Sequence, residues 1–178
     1  MKKIWLAVVL LLMMTACSEA EAMKIGKKTE GGEVDVSLNK TFTAAWIRKD
    51  KVTGLGEFTV SDYKVMENLA DDPELNKEYN FMSMNVKLEN VGDSTLSKSF
   101  FDPAFLGFYD KNGKEVKLPF LTMENDGTYE EAELRPGGVN EGTVIIPFEK
   151  GTELGEMVYS PNALTLFGSK FLYSFHLE

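Results

Sequence analysis

Few side chains in this 178-residue chain could carry chemistry, and their types limit which chemistry is available. There is one cysteine, Cys17, and one histidine, His176, beside 28 carboxylates. A single cysteine rules out an intrachain disulfide framework and a zinc site built from several thiolates. His176 stands between Phe175 and Leu177, so it should face solvent if those two face the core, and no nucleophile or orienting acid accompanies it in the sequence. We therefore predict no catalytic residue and no enzyme activity.

Two short runs of carboxylates have the chemistry of a divalent-cation site, because Ca²⁺ prefers oxygen ligands. They are Asp71, Asp72 and Glu74 in one loop, and Glu130, Glu131 and Glu133 farther along the chain. Runs of charge are more often a solvated surface than a site. We therefore predict no metal and no cofactor, and keep a Ca²⁺-binding or small-ligand-binding protein as the alternative function.

Two further segments have some features of binding sites. Gly54-Leu55-Gly56 lacks the third glycine and the following helix that a phosphate-binding loop requires. Phe100-Phe101, followed by Pro103, lies between predicted strands. The aromatic pair fits either a cap on one end of the core, which we expect, or the lip of a binding surface.

The segment that precedes Cys17 has the features of a bacterial export signal. Lys2 and Lys3 precede an uncharged apolar run over residues 4–14. As a helix this run would rise about 16 Å, too short to cross a hydrocarbon core of ~30 Å, which is typical of a secretory signal peptide. Met14-Thr15-Ala16-Cys17 then resembles the lipobox of bacterial lipoproteins, with Met14 where leucine is usual.

This resemblance implies that Cys17 is a lipidation site. In that family the chain is cut before the cysteine, the sulfur is joined to diacylglycerol, and the new amino group is usually acylated. Two acyl chains give stable anchoring where one does not. Cleavage there also removes Lys2 and Lys3 and takes the formal charge from −9 to −11, so lipid rather than charge must hold the protein at an anionic envelope. Cleavage after Ala20-Glu21-Ala22, which would release a soluble secreted protein, remains an alternative.

The chain divides into a signal, a tether and one domain. We assign residues 1–16 to a lipoprotein signal peptide, 17–33 to the lipidated cysteine and a flexible polar tether, and 34–178 to the domain. From Val34 onward, short apolar-polar alternations are separated by turn residues, and the one helix signal is weak and covers residues 72–79. This pattern predicts about eight strands in an all-β, antiparallel, immunoglobulin-like β-sandwich.

Side-chain parity predicts how two of the strands are oriented. The clearest buried stripe is Met82, Met84, Val86 and Leu88, with Ser83, Asn85 and Lys87 facing out. Phe58 and Val60 alternate in one parity, whereas Tyr63 and Val65 alternate in the other. This flip predicts a β-bulge near Ser61-Asp62.

Turn residues predict the connections. The sequence over residues 110–113 ends in Asn-Gly, which favours a hairpin turn, and Val116 and Leu118 would lie on the returning strand. Pro136-Gly137-Gly138 fits a type II turn. Pro147 within an apolar run indicates an edge strand or a bulge.

The order of these motifs, from the lipobox through Asn90-Val91-Gly92, Asp110 to Lys114, Pro136-Gly137 and Gly142 to Phe148, resembles a family of bacterial lipoproteins. Members of this family carry an immunoglobulin-like domain of unknown function related to the immunoprotective extracellular protein family. The resemblance covers about residues 58–175 and implies the sandwich fold. It brings no catalytic residue with it.

Together these observations predict a membrane-anchored, extracytoplasmic lipoprotein that acts as a non-enzymatic binding module on the cell envelope. The lipid would place it on the outer face of the cytoplasmic membrane, or on the outer membrane of a cell that has two. Its partner would be another envelope protein or a cell-surface polymer. Nucleic acid is not expected, because the acidic charge opposes it. The segment from Val34 to Leu38 is expected to be an edge strand able to accept an extended peptide.

Overall fold

Alternating apolar and polar residues build much of the described chain into strands. The computed structural model describes residues 32–48, 51–69, 73–103, 106–119, 127–160 and 171–177. Within these ranges there are eight strands: β1 (Gly32–Val36), β2 (Thr41–Arg48), β3 (Lys51–Met66), β4 (Tyr79–Asn90), β5 (Gly107–Asp110), β6 (Val139–Glu149), β7 (Leu154–Tyr159) and β8 (Phe171–His176). The predictions about the signal peptide and about Cys17 lie outside the described residues.

The strands form two four-stranded sheets that pack face to face as a β-sandwich. Sheet I has the order β1-β8-β7-β5, and sheet II has the order β2-β3-β4-β6. All pairs are antiparallel except β1 with β8, which run parallel. The predicted immunoglobulin-like sandwich is therefore confirmed. The parallel pair consists of the first and the last strand. Parallel neighbours need a long connection between them, and here all the other strands lie in that connection.

Aromatic rings from both sheets meet in one core. Phe58 on β3 stacks on Tyr159 on β7, with ring centroids 5.1 Å apart, and Phe42 on β2 lies 5.0 Å from Tyr173 on β8. Phe58, Tyr159 and Tyr173 are buried. Because each ring removes a large apolar area from water, these contacts hold the two sheets together.

The stripe predicted on β4 is confirmed, with one difference. Met82, Met84, Val86 and Leu88 are all buried, and Lys87 is exposed. Ser83, predicted to face solvent, is buried. Its neighbours on the outer face explain this: Phe81 and Pro147 pair directly across β4 and β6 and are also buried, so this end of the outer face is not solvated.

The predicted bulge interrupts β3. The register of β3 against β4 shifts between Ser61, which pairs with Asn85, and Lys64, which pairs with Ser83. Asp62, between them, has a positive φ of 54°. The inserted residue reverses the parity of the strand, which accounts for the flip seen in the sequence.

Both predicted turns are present. Gly138 N–H donates to the Arg135 carbonyl at 2.8 Å, and Gly137 has φ 76°, as a type II turn requires. Gly113 N–H donates to the Asp110 carbonyl at 2.9 Å. The predicted strand after this second turn is wrong, since the segment that follows makes only an isolated bridge between Tyr109 and Glu115.

The helix signal corresponds to one short helix, α1 (Pro73–Glu78), and a single 3₁₀ turn covers Lys98–Phe100. Neither element is long and apolar enough to cross a membrane, and the same holds for the rest of the described chain. The first strand begins at Gly32, two residues before the boundary drawn from the sequence.

Candidate functional site

The edges of the two sheets are places where a β-sandwich can bind another chain, beside the loops at its ends. Two four-stranded sheets have four edge strands, here β1 and β5 in sheet I and β2 and β6 in sheet II. The outer side of an edge strand presents backbone N–H and C=O groups that pair readily with another strand. What covers each edge therefore decides where a partner can dock.

The edge of β2 is contacted at its middle by a side chain from the opposite sheet. Ala45 N–H donates to the Tyr173 hydroxyl at 3.3 Å, and this hydroxyl donates to the Thr43 carbonyl at 3.4 Å. Burial raises the pKa of Tyr173 to about 12, so the hydroxyl keeps its proton at neutral pH. One phenol thus satisfies both a donor and an acceptor on the β2 edge.

The edge of β6 is covered by a backbone segment, residues 127–130, which we call the strap. Tyr129 N–H donates to the Thr143 carbonyl at 2.9 Å, and Thr143 N–H donates to the Gly127 carbonyl at 2.8 Å. The strap lies so close to β6 that a Cβ on Gly142 would stand 2.5 Å from Tyr129 Cα. Farther along the strand, Pro147 has no N–H to offer, and its predicted edge position is confirmed.

The edge of β5 is covered by the chain that follows it. Asp110 N–H donates to the Lys114 carbonyl at 2.9 Å, and Val116 N–H donates to the Phe108 carbonyl at 2.8 Å. The Asp110 carboxylate accepts the N–H groups of Lys114 and Asn112 at 2.9 and 2.8 Å. These bonds, above all the one from Lys114, hold the pKa of Asp110 below its usual value.

The edge of β1 is different. Across the described ranges, no strand pairs with its outer side. In a parallel pair, alternate residues direct both backbone groups away from the neighbouring strand, so β1 keeps unpaired donors and acceptors along its length. The prediction of an edge strand here is confirmed, with bounds Gly32–Val36 instead of Val34 to Leu38. We call this outer side of β1 the open edge.

Carboxylates surround the open edge. Glu33 and Asp35 are exposed, whereas Val34 is half-buried and Val36 is buried. On the outer face beside them, Glu156 on β7 lies opposite His176 on β8. Negative charge and free backbone groups therefore occur together at one strand.

A serine, a histidine and two acids share this face, and each acid on β1 contacts one of the two β8 residues. The Ser174 hydroxyl donates to Glu33 Oε1 at 2.8 Å, so the serine is engaged with a carboxylate. His176 Nε2 lies 3.8 Å from Asp35 Oδ1, and the histidine is exposed as predicted. A nucleophile needs its base within hydrogen-bond reach.

The acidic runs noted in the sequence occupy other surfaces. Glu74 pairs with Lys77 on α1 at 2.6 Å, and Asp71 and Asp72 lie outside the described residues. Glu130, Glu131 and Glu133 are exposed. Partial loss of solvent and the nearby Asp102 carboxylate raise the pKa of Glu131. No group of three or more histidine, cysteine, aspartate or glutamate side chains suited to a metal ion occurs in the part of the chain that the structure describes.

Phe100 and Phe101 are core residues, so the alternative of a binding lip is wrong. Phe101 lies 4.7 Å from Phe58, and the Tyr159 hydroxyl donates to the Phe100 carbonyl. Gly56 makes room for them, because a Cβ there would lie 2.7 Å from the Phe100 ring. The two glycines at positions 54 and 56 thus serve packing.

Sequence reasoning missed two features of this site. The first is the role of Tyr173, for which the only signal was a tyrosine in a buried aromatic stripe that otherwise needs no hydroxyl. The second is the strap, where Gly142 marks the close approach of two backbones.

No family model matches the sequence, and no curated protein is similar to it. The fold resembles that of MPT63, a secreted protein from Mycobacterium tuberculosis, with a TM-score of 0.57 at 10% identity over 82% of this chain and 98% of that one. The yjhA protein from Bacillus subtilis gives 0.49 at 18% identity, covering 80% and 98% of the two chains. An uncharacterized β-sandwich protein from Clostridium difficile 630 gives 0.46 at 10% identity, covering 83% and 97%. The likeness to MPT63 shows a shared fold.

Proposed function

We propose that this protein is a lipid-anchored, extracytoplasmic binding module of the bacterial cell envelope, and that it binds a partner protein at the open edge of β1. The observation that carries this proposal is the contrast between the four edges. On three of them another part of the chain bonds to backbone groups on the outer side of the edge strand, through Tyr173, the strap and residues 114–116. The outer side of β1 has no such contact among the described residues. Strand addition at an exposed edge is a recurring way to bind an extended peptide.

The position of the open edge fits a tethered protein. Fourteen residues separate Cys17 from Gly32, where β1 begins. Even fully extended, fourteen residues reach about 50 Å at most, so the open edge would stay within that distance of the membrane surface. A partner in the same envelope would meet it there.

Export and anchoring are supported by the start of the chain. The basic residues, the short apolar run and the lipobox-like Met14-Thr15-Ala16-Cys17 follow one another in the order of a lipoprotein signal. The secreted character that MPT63 carries in its description is consistent with an extracytoplasmic location for the same fold. Cys17 is the proposed lipidation site.

The binding role is proposed as non-enzymatic. The one histidine is exposed and faces Asp35, and the nearby serine hydroxyl is bonded to Glu33. These contacts suit a surface that presents charge and backbone groups better than a site that activates a nucleophile.

Anchoring is tested by Cys17→Ser in cells of a bacterium that processes lipoproteins. We expect the wild-type protein in the membrane fraction and the variant outside it, and we expect acyl chains on the N-terminal peptide in mass spectrometry. Wild-type protein that starts at Met23 and is soluble would show that cleavage follows Ala22 and that the anchor is absent.

Binding at the open edge is tested by photocrosslinking in intact cells. A photoreactive residue replaces Ser37, which is exposed directly after β1, and the matched control replaces Glu149, which is exposed on β6. We expect a discrete crosslinked species, identified by mass spectrometry, from position 37 and none from position 149. The same species from both positions, or none from either, would contradict the proposal.

A further inference from the structure

We propose that the open edge accepts an extended peptide that carries lysine or arginine at alternate positions. This inference rests on the proposed function, because it names the partner chemistry of the same site. The argument combines three features of sheet I: the distribution of charge, the spacing of side chains along β1, and the cost of pairing β1 with itself.

Sheet I is acidic along its strands. β1, β8, β7 and β5 contain four carboxylates, namely Glu33, Asp35, Asp110 and Glu156, and no lysine or arginine. The strands of sheet II differ in carrying both signs of charge, five carboxylates and four basic residues, so that only in sheet I is the negative charge not offset by lysine or arginine. The chain as a whole has a formal charge of −9. A docking strand at β1 therefore meets a surface that complements positive charge.

The spacing along β1 converts this charge into a pattern. Glu33 and Asp35 are two residues apart, so their side chains point to the same face and stand about 7 Å apart. An added strand places its own side chains beside them at the same interval, and directly opposite charges of unlike sign stabilise a pair of strands. The remaining side chains of the added peptide point to the opposite face, beside Val34 and Val36. Val34 is half-buried and Val36 is buried, so both favour small apolar neighbours. The expected pattern is basic, apolar, basic, apolar.

A second copy of the chain is a poorer occupant. If two β1 strands paired antiparallel about Val34, Glu33 of each copy would stand opposite Asp35 of the other. Like charges directly opposite each other destabilise strand pairing. The same two carboxylates thus oppose self-association and favour a basic peptide.

The test uses the full chain purified in detergent and fluorescent eight-residue peptides. The probe is acetyl-(Lys-Val)₄-amide, and its acidic counterpart has glutamate in place of lysine. Anisotropy titrations should show saturable binding of the basic peptide and none of the acidic one. The double variant Glu33→Lys, Asp35→Lys should weaken binding about tenfold, because exposed ion pairs contribute modestly and charge reversal affects two of them.

The matched control is Glu141→Lys, Glu149→Lys, which makes the same charge change at exposed residues of β6. It should leave the affinity within about twofold, since long-range charge effects are screened at physiological salt. Equal weakening by both double variants would mean that the peptide responds only to net charge, and would overturn the proposal.

Strand pairing itself is tested with two methylated peptides, one N-methylated at every lysine and the other at every valine. In an extended peptide, alternate residues direct their N–H groups to opposite sides, so methylation blocks one side only. We expect one methylated peptide to bind and the other to lose binding. Equal behaviour of the two overturns strand addition.

Failure of this proposal is distinguishable from failure of the proposed function. If no basic peptide binds while the crosslink from position 37 persists, the charge preference is wrong and the binding site stands. If the crosslink is absent as well, both are wrong.

Discussion

Gly142→Ala should detach the strap from β6. A Cβ at this position would lie 2.5 Å from Tyr129 Cα and 2.7 Å from Tyr129 N. Contacts this short with backbone atoms cannot be relieved by rotating a side chain, so either β6 or residues 127–130 must move. The strap is the smaller element and is held by fewer hydrogen bonds, so we expect it to move.

The cost follows from what the strap contributes. Moving it breaks the two hydrogen bonds between Thr143 and the strap, at about 1 kcal/mol each. It also separates the Tyr129 ring from Phe101, an edge-on contact with centroids 5.0 Å apart, which contributes about 1 kcal/mol beyond area burial. Replacing glycine by alanine in a strand also stabilises the folded state by about 0.5–1 kcal/mol, which offsets part of this loss. The net loss should be about 2–2.5 kcal/mol, which lowers Tm by roughly 4–10 °C in a domain of this size.

Urea denaturation and amide hydrogen exchange measure the two halves of this prediction. The urea concentration at the unfolding midpoint should fall. The amides of Tyr129 and Thr143 should exchange faster, while those of β4 keep their protection from exchange. The matched control is Gly107→Ala, also in a strand, where a Cβ would meet its nearest neighbours at 3.9 Å. If Gly142→Ala unfolds at the same urea concentration as Gly107→Ala, with both strap amides still protected, the reasoning is refuted.

Three further changes test other contacts. Gly56→Ala should cost about 1–3 kcal/mol in urea unfolding because its Cβ would lie 2.7 Å from both the Phe100 ring and Leu88 Cδ1. The cost should be smaller in the presence of Phe100→Leu, which relieves one of these two contacts; strict additivity would contradict this. Tyr173→Phe leaves a buried β2 amide without a partner and should cost about 1–3 kcal/mol, with faster exchange of that amide as the check. Glu131→Gln should raise Tm at pH 7 and leave it nearly unchanged at about pH 3. The reason is that a raised carboxyl pKa means the folded state binds the proton more tightly, so native stability falls as pH rises above the ordinary glutamate range. A lower Tm at pH 7 would show that the proximity of Asp102 is not repulsive.

The features that the sequence predicted correctly are those determined within a few residues. Asp62 sits in the bulge because the parity of side chains changes there, and a change of parity is visible without knowing the partner strand. Gly137 and Gly113 take positive φ because the turn type demands it. The edge position of β1 was also predicted, since it follows the polar segment before the domain.

The features that the sequence did not predict depend on residues far apart in the chain. Nothing local indicates that β1 pairs in parallel with the last strand, or that the Tyr173 hydroxyl reaches the β2 edge 128 residues away. The prediction for Ser83 failed for the same reason. Alternation assumes that one face of the strand is exposed to solvent, but Phe81 and Ser83 on that face are both buried. Which strands pair, and which residues bury the outer face of a strand, are set by tertiary structure. The periodicity along one strand does not predict them.

The parallel pair of β1 and β8 has a mechanical consequence. Gly32, where the tether enters, lies beside Phe171, and the two strands run from there in the same direction. A pull on Gly32 along the strand axis therefore loads the β1–β8 hydrogen bonds in shear, and all of them share the force at once. A pull across the strands would break the same bonds one after another. The β1–β8 pair should thus resist a force along its strands better than a force across them.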